Sequence, residues 1–198
     1  MCIRDRIDLI IENDCDRARQ IFVDVADNAL GINKTVIARF DMRKVVNRAL
    51  NELMIKRPDL LKNRIDDQQN NVRGNNPNLV GANTVADIIQ IVQVGLTGRM
   101  TPALEKNLDA KALAARADGF FEDLVEAFPI LGALVNGSIS TKELRETSML
   151  GSITMLRALA GVYHEVMVAM GRGRGAAKAL LTKLAPHAAA PVQAGTPS

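Results

Sequence analysis

This sequence has little that would carry chemistry by itself. It has no tryptophan, one tyrosine and five phenylalanines, so aromatics make up 3% of its 198 residues. That speaks against a stacking platform for single-stranded nucleic acid, which needs several exposed rings. Cysteine is confined to Cys2 and Cys15 with no Cys-x-x-Cys spacing, which argues against a disulfide scaffold or a zinc site and makes a reducing, cytoplasmic setting the expectation. The two histidines, His164 and His187, suggest neither a metal cluster nor a nucleophile–base pair. His164 reads as a surface or boundary residue. No Ser/His/Asp, His-Glu-x-x-His, Walker or EF-hand pattern occurs, so no catalytic residue, metal ligand or cofactor is assigned. There is no run of 18 apolar residues to span a membrane, and residues 1–20 are charged throughout, unlike a secretory signal.

What is present is ordinary for a globular chain: 47% hydrophobic and 24% charged residues, with a mean hydropathy of +0.03. A wholly disordered chain is excluded. Net charge is +3 and the pI about 9.0, so the distribution of charge matters more than its total. Residues 171–185 carry Arg172, Arg174, Lys178 and Lys183 and no acid. Residues 39–48 carry Arg39, Arg43, Lys44 and Arg48 against Asp41 alone. The second group reads either as phosphate contacts or as a solvated helix face, and the arginines of the first could contact phosphate. Gly171-Arg-Gly-Arg-Gly-Ala superficially matches a dinucleotide fingerprint, but the preceding element is a helix and no βαβ unit follows. A flexible basic linker is the better reading.

Along the chain, Ile7 to Ile11 reads as a short strand, which cannot stand alone. Asp14 then caps a helix whose apolar stripe is Cys15, Ala18, Ile21, Phe22, Val25, Ala26, Ala29 and Leu30, with Gly31 as its stop. Residues 32–40 are ambiguous between strand and helix. Asp41 can cap a second helix that buries Val45, Val46, Ala49, Leu50, Leu53 and Met54 and ends before Pro58. Residues 62–83, rich in Asn and Gln, read as a long loop or boundary. Everything beyond reads as helical. Thr84 with Asp87, Thr101-Pro102, and Ser140 with Glu143 are its helix starts. Pro129 stops the stripe Ala117 to Phe128. Leu150, Ile153, Leu156, Leu159, Tyr163, Val166 and Met170 continue one apolar face. A short helix at about 176–185 comes last.

Residues 18–54 also resemble a known family. Gln20, Phe22, Asp24, Val25, Lys34 and Thr35, then Phe40, Asp41 and Arg43, are similar to the segment that follows the Asp-Gly-Gln-His-Arg motif in the DGQHR-domain family. That family includes the DNA sulfur-modification (phosphorothioation) proteins of DndB type. Ala26 departs from the Asn usual there. Asn78-Leu79 and Leu156 to Gly161 extend the likeness, so that it runs over about 7–170. The resemblance implies an N-terminal domain similar to the ParB/sulfiredoxin superfamily. It also implies DNA binding and transcriptional control of the modification genes, and in some members nucleotide hydrolysis. The motif itself is absent here, and Met1 to Arg6 looks like a translated sequencing adapter. The expectation is therefore a fragment without turnover.

The resulting fold expectation is mainly α. Residues 7–60 are the truncated end of an α/β ParB/sulfiredoxin-like domain, 61–83 a polar linker, 84–185 a helical domain and 186–198 a disordered tail. The expected partner is DNA, with Gln20, Phe22, Asp24, Lys34 and Thr35 as family-motif residues and Arg39, Arg43, Lys44, Arg172 and Arg174 contacting phosphate. Protein partners or a second copy are further expectations; a membrane is not. Two other readings stand beside this one. The first is a nucleotide-hydrolysing ParB-like enzyme whose active motif is missing. The second is a helical interaction module, for which Met149, Met155, Met167 and Met170 offer adaptable surface, unless they simply fill the core.

Overall fold

A computed structural model describes residues 11–29, 33–56, 58–69, 72, 74 and 76–188. The expected strand at 7–11, but for Ile11, lies outside the described residues, as do the Gly31 stop and residues 189–198. Helix α1 (Cys15–Ala29) starts as its sequence dictates, with the Asp14 carboxylate accepting from the backbone N–H groups of Asp16 (2.9 Å) and Arg17 (3.3 Å). Its apolar stripe is not buried as expected: Phe22 and Val25 are 51% and 59% exposed, and Cys15 and Ala18 are exposed too. Among the described side chains of α1, Val23, off that stripe, is the buried one. Periodicity identifies the apolar face of a helix but not whether another element covers it.

Residues 34–40 form α2 (Lys34–Phe40), started by the Asn33 side chain, which accepts from the Thr35 N–H. Asp41 closes α2 rather than capping the next helix, because its own N–H still bonds the Ile37 carbonyl. Helix α3 (Val45–Lys56) begins four residues later and buries Val45, Val46, Ala49, Leu50 and Leu53 as expected.

The polar stretch that follows is partly regular. Strands β1 (Ile65–Asp66) and β2 (Val80–Gly81) pair in parallel, Ile65 with Val80 and Asp66 with Gly81. Asp66, buried, accepts from the backbone of Gln68 and Gln69 and from Asn76 Nδ2. Arg145 draws the far side in, donating to the carbonyls of Gly74, Asn76, Asn78 and Leu79. Arg64 donates to Leu134 O at 2.7 Å. Side chains thus supply the partners that so short a ladder lacks.

Helix α4 (Ala82–Val94) starts directly from β2, two residues before the expected Thr84 cap. Thr84 is buried within it, and Asp87 pairs with Arg157 instead of capping. The starts expected at Thr101-Pro102 and Ser140 hold, and two more were not foreseen, at Asp109 and Pro129. Thr101 accepts from Leu104 N with Pro102 at the first position of α5 (Pro102–Lys106), Asp109 starts α6 (Ala110–Ala127), and Pro129 both follows α6 and opens α7 (Pro129–Val135). Ser140 and Glu143 form a full capping box at α8 (Thr141–Thr147). The expected continuous face from Leu150 to Met170 is broken into a 3-10 turn (Met149–Gly151), α9 (Ile153–His164) and a π-helical stretch (Glu165–Ala169), and Met170 is 56% exposed. Finally, α10 (Gly173–Ala188) is longer than expected at both ends and includes Arg174, Gly175 and Pro186.

The chain is mainly α. Its hydrophobic core is continuous across the polar stretch: Leu50 and Leu53 of α3 belong to one cluster with Phe120, Phe121 and Leu124 of α6, Ile88 and Ile89 of α4, and Leu159 and Tyr163 of α9. Helix α3 packs chiefly on α6, and α4 on α9 and α2. Each such side chain contributes roughly 1.5–3 kcal/mol by leaving water.

Candidate functional site

The family-motif residues build a joint. Gln20 Nε2 donates to Asp24 at 3.0 Å, and Asp24 meets the Arg43 guanidinium at 3.2 Å. Arg43 also binds Asp41, Nε to Oδ1 at 2.8 Å. Burial raises the Asp41 carboxyl, but hydrogen bonds from Arg43 and the charges of Arg43 and Lys44 outweigh it and hold the group below its usual range. Phe22 packs against Phe40 with ring centroids 5.7 Å apart, and Arg19 sits over the Phe40 ring. Thr35, fully buried, donates to Gln69 O at 3.1 Å and lies 3.2 Å from Asn83 Oδ1. These residues fix α1 to α2 and α2 to α4.

The basic residues expected around α2 do not form one patch. Lys34 and Lys44 line a cleft of about 870 Å³ that α2 shares with α3, α4, α5 and α9. Its far wall is the polar stripe Asn83, Asp87 and Gln90 of α4, with Arg99 and Glu105 beyond. Asp87 is matched by Arg157. Lys34, Lys44 and Arg99 are exposed, and among the described residues none of the three forms an ion pair. The cleft is therefore a recess with surplus positive charge, amide groups along one side, and room for a phosphate-bearing ligand.

Arg39 points to the other side of α2, into a second recess lined also by Arg19 and Lys62. Its Nε is 3.6 Å from Asp67, too far for a hydrogen bond, and its Nη1 is buried without a partner. An unmet buried donor costs about 1–3 kcal/mol or more.

At the other end of the chain, Arg174 is not on a flexible linker. It lies in the first turn of α10, bonded to Asp123 through Nε at 2.8 Å and to Glu122 through Nη2 at 2.8 Å. Asp123 is 1% exposed and also accepts from Tyr163 Oη at 3.0 Å. Those hydrogen bonds raise the Arg174 pKa, and burial followed by the Asp123 charge raises that of Tyr163. A Cβ on Gly119 would sit 3.1 Å from the Arg174 guanidinium, so α6 carries glycine where that group crosses it. Arg174 ties α10 to α6 and has few donors left for phosphate. Arg172 is exposed and, among the described residues, makes no ion pair. His164, expected at the surface or its boundary, is buried, with Nδ1 3.1 Å from Val92 O.

Arg99 and Arg157 were not singled out by sequence reasoning. Arg99 follows a glycine between two helices, where periodicity says nothing. The stripe Asn83, Asp87 and Gln90 was legible, since three- and four-residue polar steps on an apolar helix mark one unburied face.

Among the described residues no group of histidine, cysteine and carboxylate could hold a metal, and no helix is long and apolar enough to cross a membrane. Comparison with known proteins returned no match among the curated proteins or the solved structures. Comparison with family models identifies a protein associated with DNA sulfur modification. The chain belongs to the DndB family, whose model matches residues 6–183.

Proposed function

We propose that this chain is a DNA-associated regulatory protein of its sulfur-modification system, acting on expression of the modification genes, and that the cleft beside α2 contacts the DNA backbone. One observation carries the contact: Lys34, Lys44 and Arg99 line a single recess without ion-pair partners among the described residues. Arg43 stands at the same end of the molecule but is engaged by Asp24 and Asp41. Arg172 adds a cation on a different element. Arg39 and Arg174 drop out of the contact set because they face another recess and an internal carboxylate.

Three phosphate contacts correspond to a log–log salt slope of about −3 on duplex DNA. The test is a titration of duplex across salt with the wild type and with a Lys34→Gln/Lys44→Gln/Arg99→Gln variant. The expected result is weaker binding at low salt and a slope shallower by about 3 in the variant. Equal affinity and slope would overturn the assignment of the cleft.

A second reading has its own support. Phe22 of α1, 51% exposed, packs on Phe40, 37% exposed, and Val25 on the same helix is 59% exposed, which suits a protein-interaction module. Absence of any duplex binding at low salt favours that reading.

A further inference from the structure

The recess on the opposite side of α2 is a separate site. It measures about 660 Å³, within the range of small-molecule pockets. Its basic wall comes from three elements: Arg39 of α2, Arg19 of α1 and Lys62 of the turn after Pro58, against the single carboxylate of Asp67. Arg19 is already paired with Asp16 at 3.1 Å. Lys62 makes no ion pair among the described residues, and Arg39, whose side chain is 24% exposed, meets Asp67 only at 3.6 Å and leaves Nη1, itself buried, without an acceptor. The floor is different in kind. Met54, Ile55, Pro58, Leu61 and Ile65 make it apolar, and Ile55 is 77% exposed.

Each half constrains the occupant. The cations need an anionic head that takes two or more charge-assisted hydrogen bonds, as a phosphate or carboxylate does. The floor needs a flat or aliphatic body, because a bare inorganic anion would leave it wet. We propose that this recess binds a small organic anion, with its phosphate or carboxylate head between Arg39 and Lys62 and its apolar body on Met54, Ile55 and Ile65. This site shares no lining residue with the cleft of the proposed DNA contact.

The experiment uses the full chain, isotopically labelled, and follows backbone amide shifts. The probes are phenyl phosphate, benzoate, inorganic phosphate and benzyl alcohol. The two organic anions are expected to give saturable shifts at Asn51, Ile55, Leu61 and Ile65. Inorganic phosphate and benzyl alcohol, each lacking one half, are expected to bind about tenfold more weakly or worse. Arg39→Gln and Lys62→Gln are each expected to weaken phenyl phosphate by about fivefold or more, whereas Lys44→Gln leaves it unchanged. Tighter binding of phenyl phosphate than benzoate identifies a phosphate monoester as the natural class, and the reverse identifies a carboxylate. Absence of saturable shifts with both organic anions overturns the proposal. So does binding that Lys62→Gln leaves intact, since Lys62 is an exposed turn residue whose replacement does not threaten folding.

Discussion

Arg43 holds two carboxylates at once: Asp24 of α1 at 3.2 Å and the Asp41 carboxylate at 2.8 Å. The two are unequal. Asp24 is about half exposed, while the Asp41 side chain is 6% exposed. Asp24→Ala is expected to cost less than about 1 kcal/mol, because exposed pairs are screened by water. Arg43→Ala removes the guanidinium from a buried carboxylate, leaving it the backbone N–H of residue 43, and is expected to cost about 1–3 kcal/mol. Urea unfolding of the two variants gives the ranking, and equal losses would show that Asp41 does not depend on Arg43.

Acid should weaken the molecule through Asp41 and Asp66. Burial raises both groups, but at Asp41 the hydrogen bonds and charge of Arg43, and at Asp66 the N–H groups of Gln68 and Gln69 with the Asn76 amide, pull the net pKa below the usual range. A carboxyl whose folded pKa lies below its unfolded one contributes stability that is complete above the unfolded value and disappears as pH falls through the folded value. Stability is therefore expected to be flat near neutrality and to drop below about pH 4. Asp66→Asn should flatten the acid limb, and an unchanged acid limb in that variant would refute its share.

The Arg174 contact makes a contrast with Arg172. Arg174→Ala leaves Asp123 buried with Tyr163 as its one side-chain donor among the described residues and is expected to cost about 2–3 kcal/mol. Tyr163→Phe removes one hydrogen bond and should cost about 1 kcal/mol. Arg172→Ala should leave stability within about 0.5 kcal/mol. If thermal and urea unfolding show Arg172→Ala as the more damaging change, the placement of the two arginines is wrong.

Arg145 gathers four carbonyls of the polar stretch. Arg145→Ala is expected to cost about 2–3 kcal/mol and to speed amide exchange at residues 78–81 while α6 stays protected. Arg145→Lys should rescue little, because an ammonium cannot span four acceptors as the planar guanidinium does. Near-wild-type exchange in the lysine variant would contradict that geometry.

Local rules account for much of what the sequence foretold. Asp14, Thr101 and Ser140 cap where they should, because a cap depends on three or four neighbouring residues. Thr84 shows the limit: its spacing to Asp87 fits a capping pair, yet pairing of β2 with β1 places the helix start at Ala82, and Asp87 turns to Arg157. Tertiary contact decided between two local options. The basic residues fared differently. Arg39, Arg43 and Lys44 are close in sequence, but α2 ends between them: Arg39 on its last turn lines one recess, and Lys44, in the connection to α3, lines the other. The engagement of Arg174 rests on Asp123, fifty-one residues away, which no local pattern encodes.

Helix α2 is only seven residues long, and the two basic recesses lie on either side of it. Such a wall makes their occupants thermodynamic neighbours. If filling one recess shifts α2, the affinity of the other changes by some factor, and filling the second must change the first by that same factor. A small anion in one recess and a nucleic-acid strand in the other would then read each other through a single helical turn or two, so a metabolite's concentration could be expressed as DNA occupancy without any domain having to move.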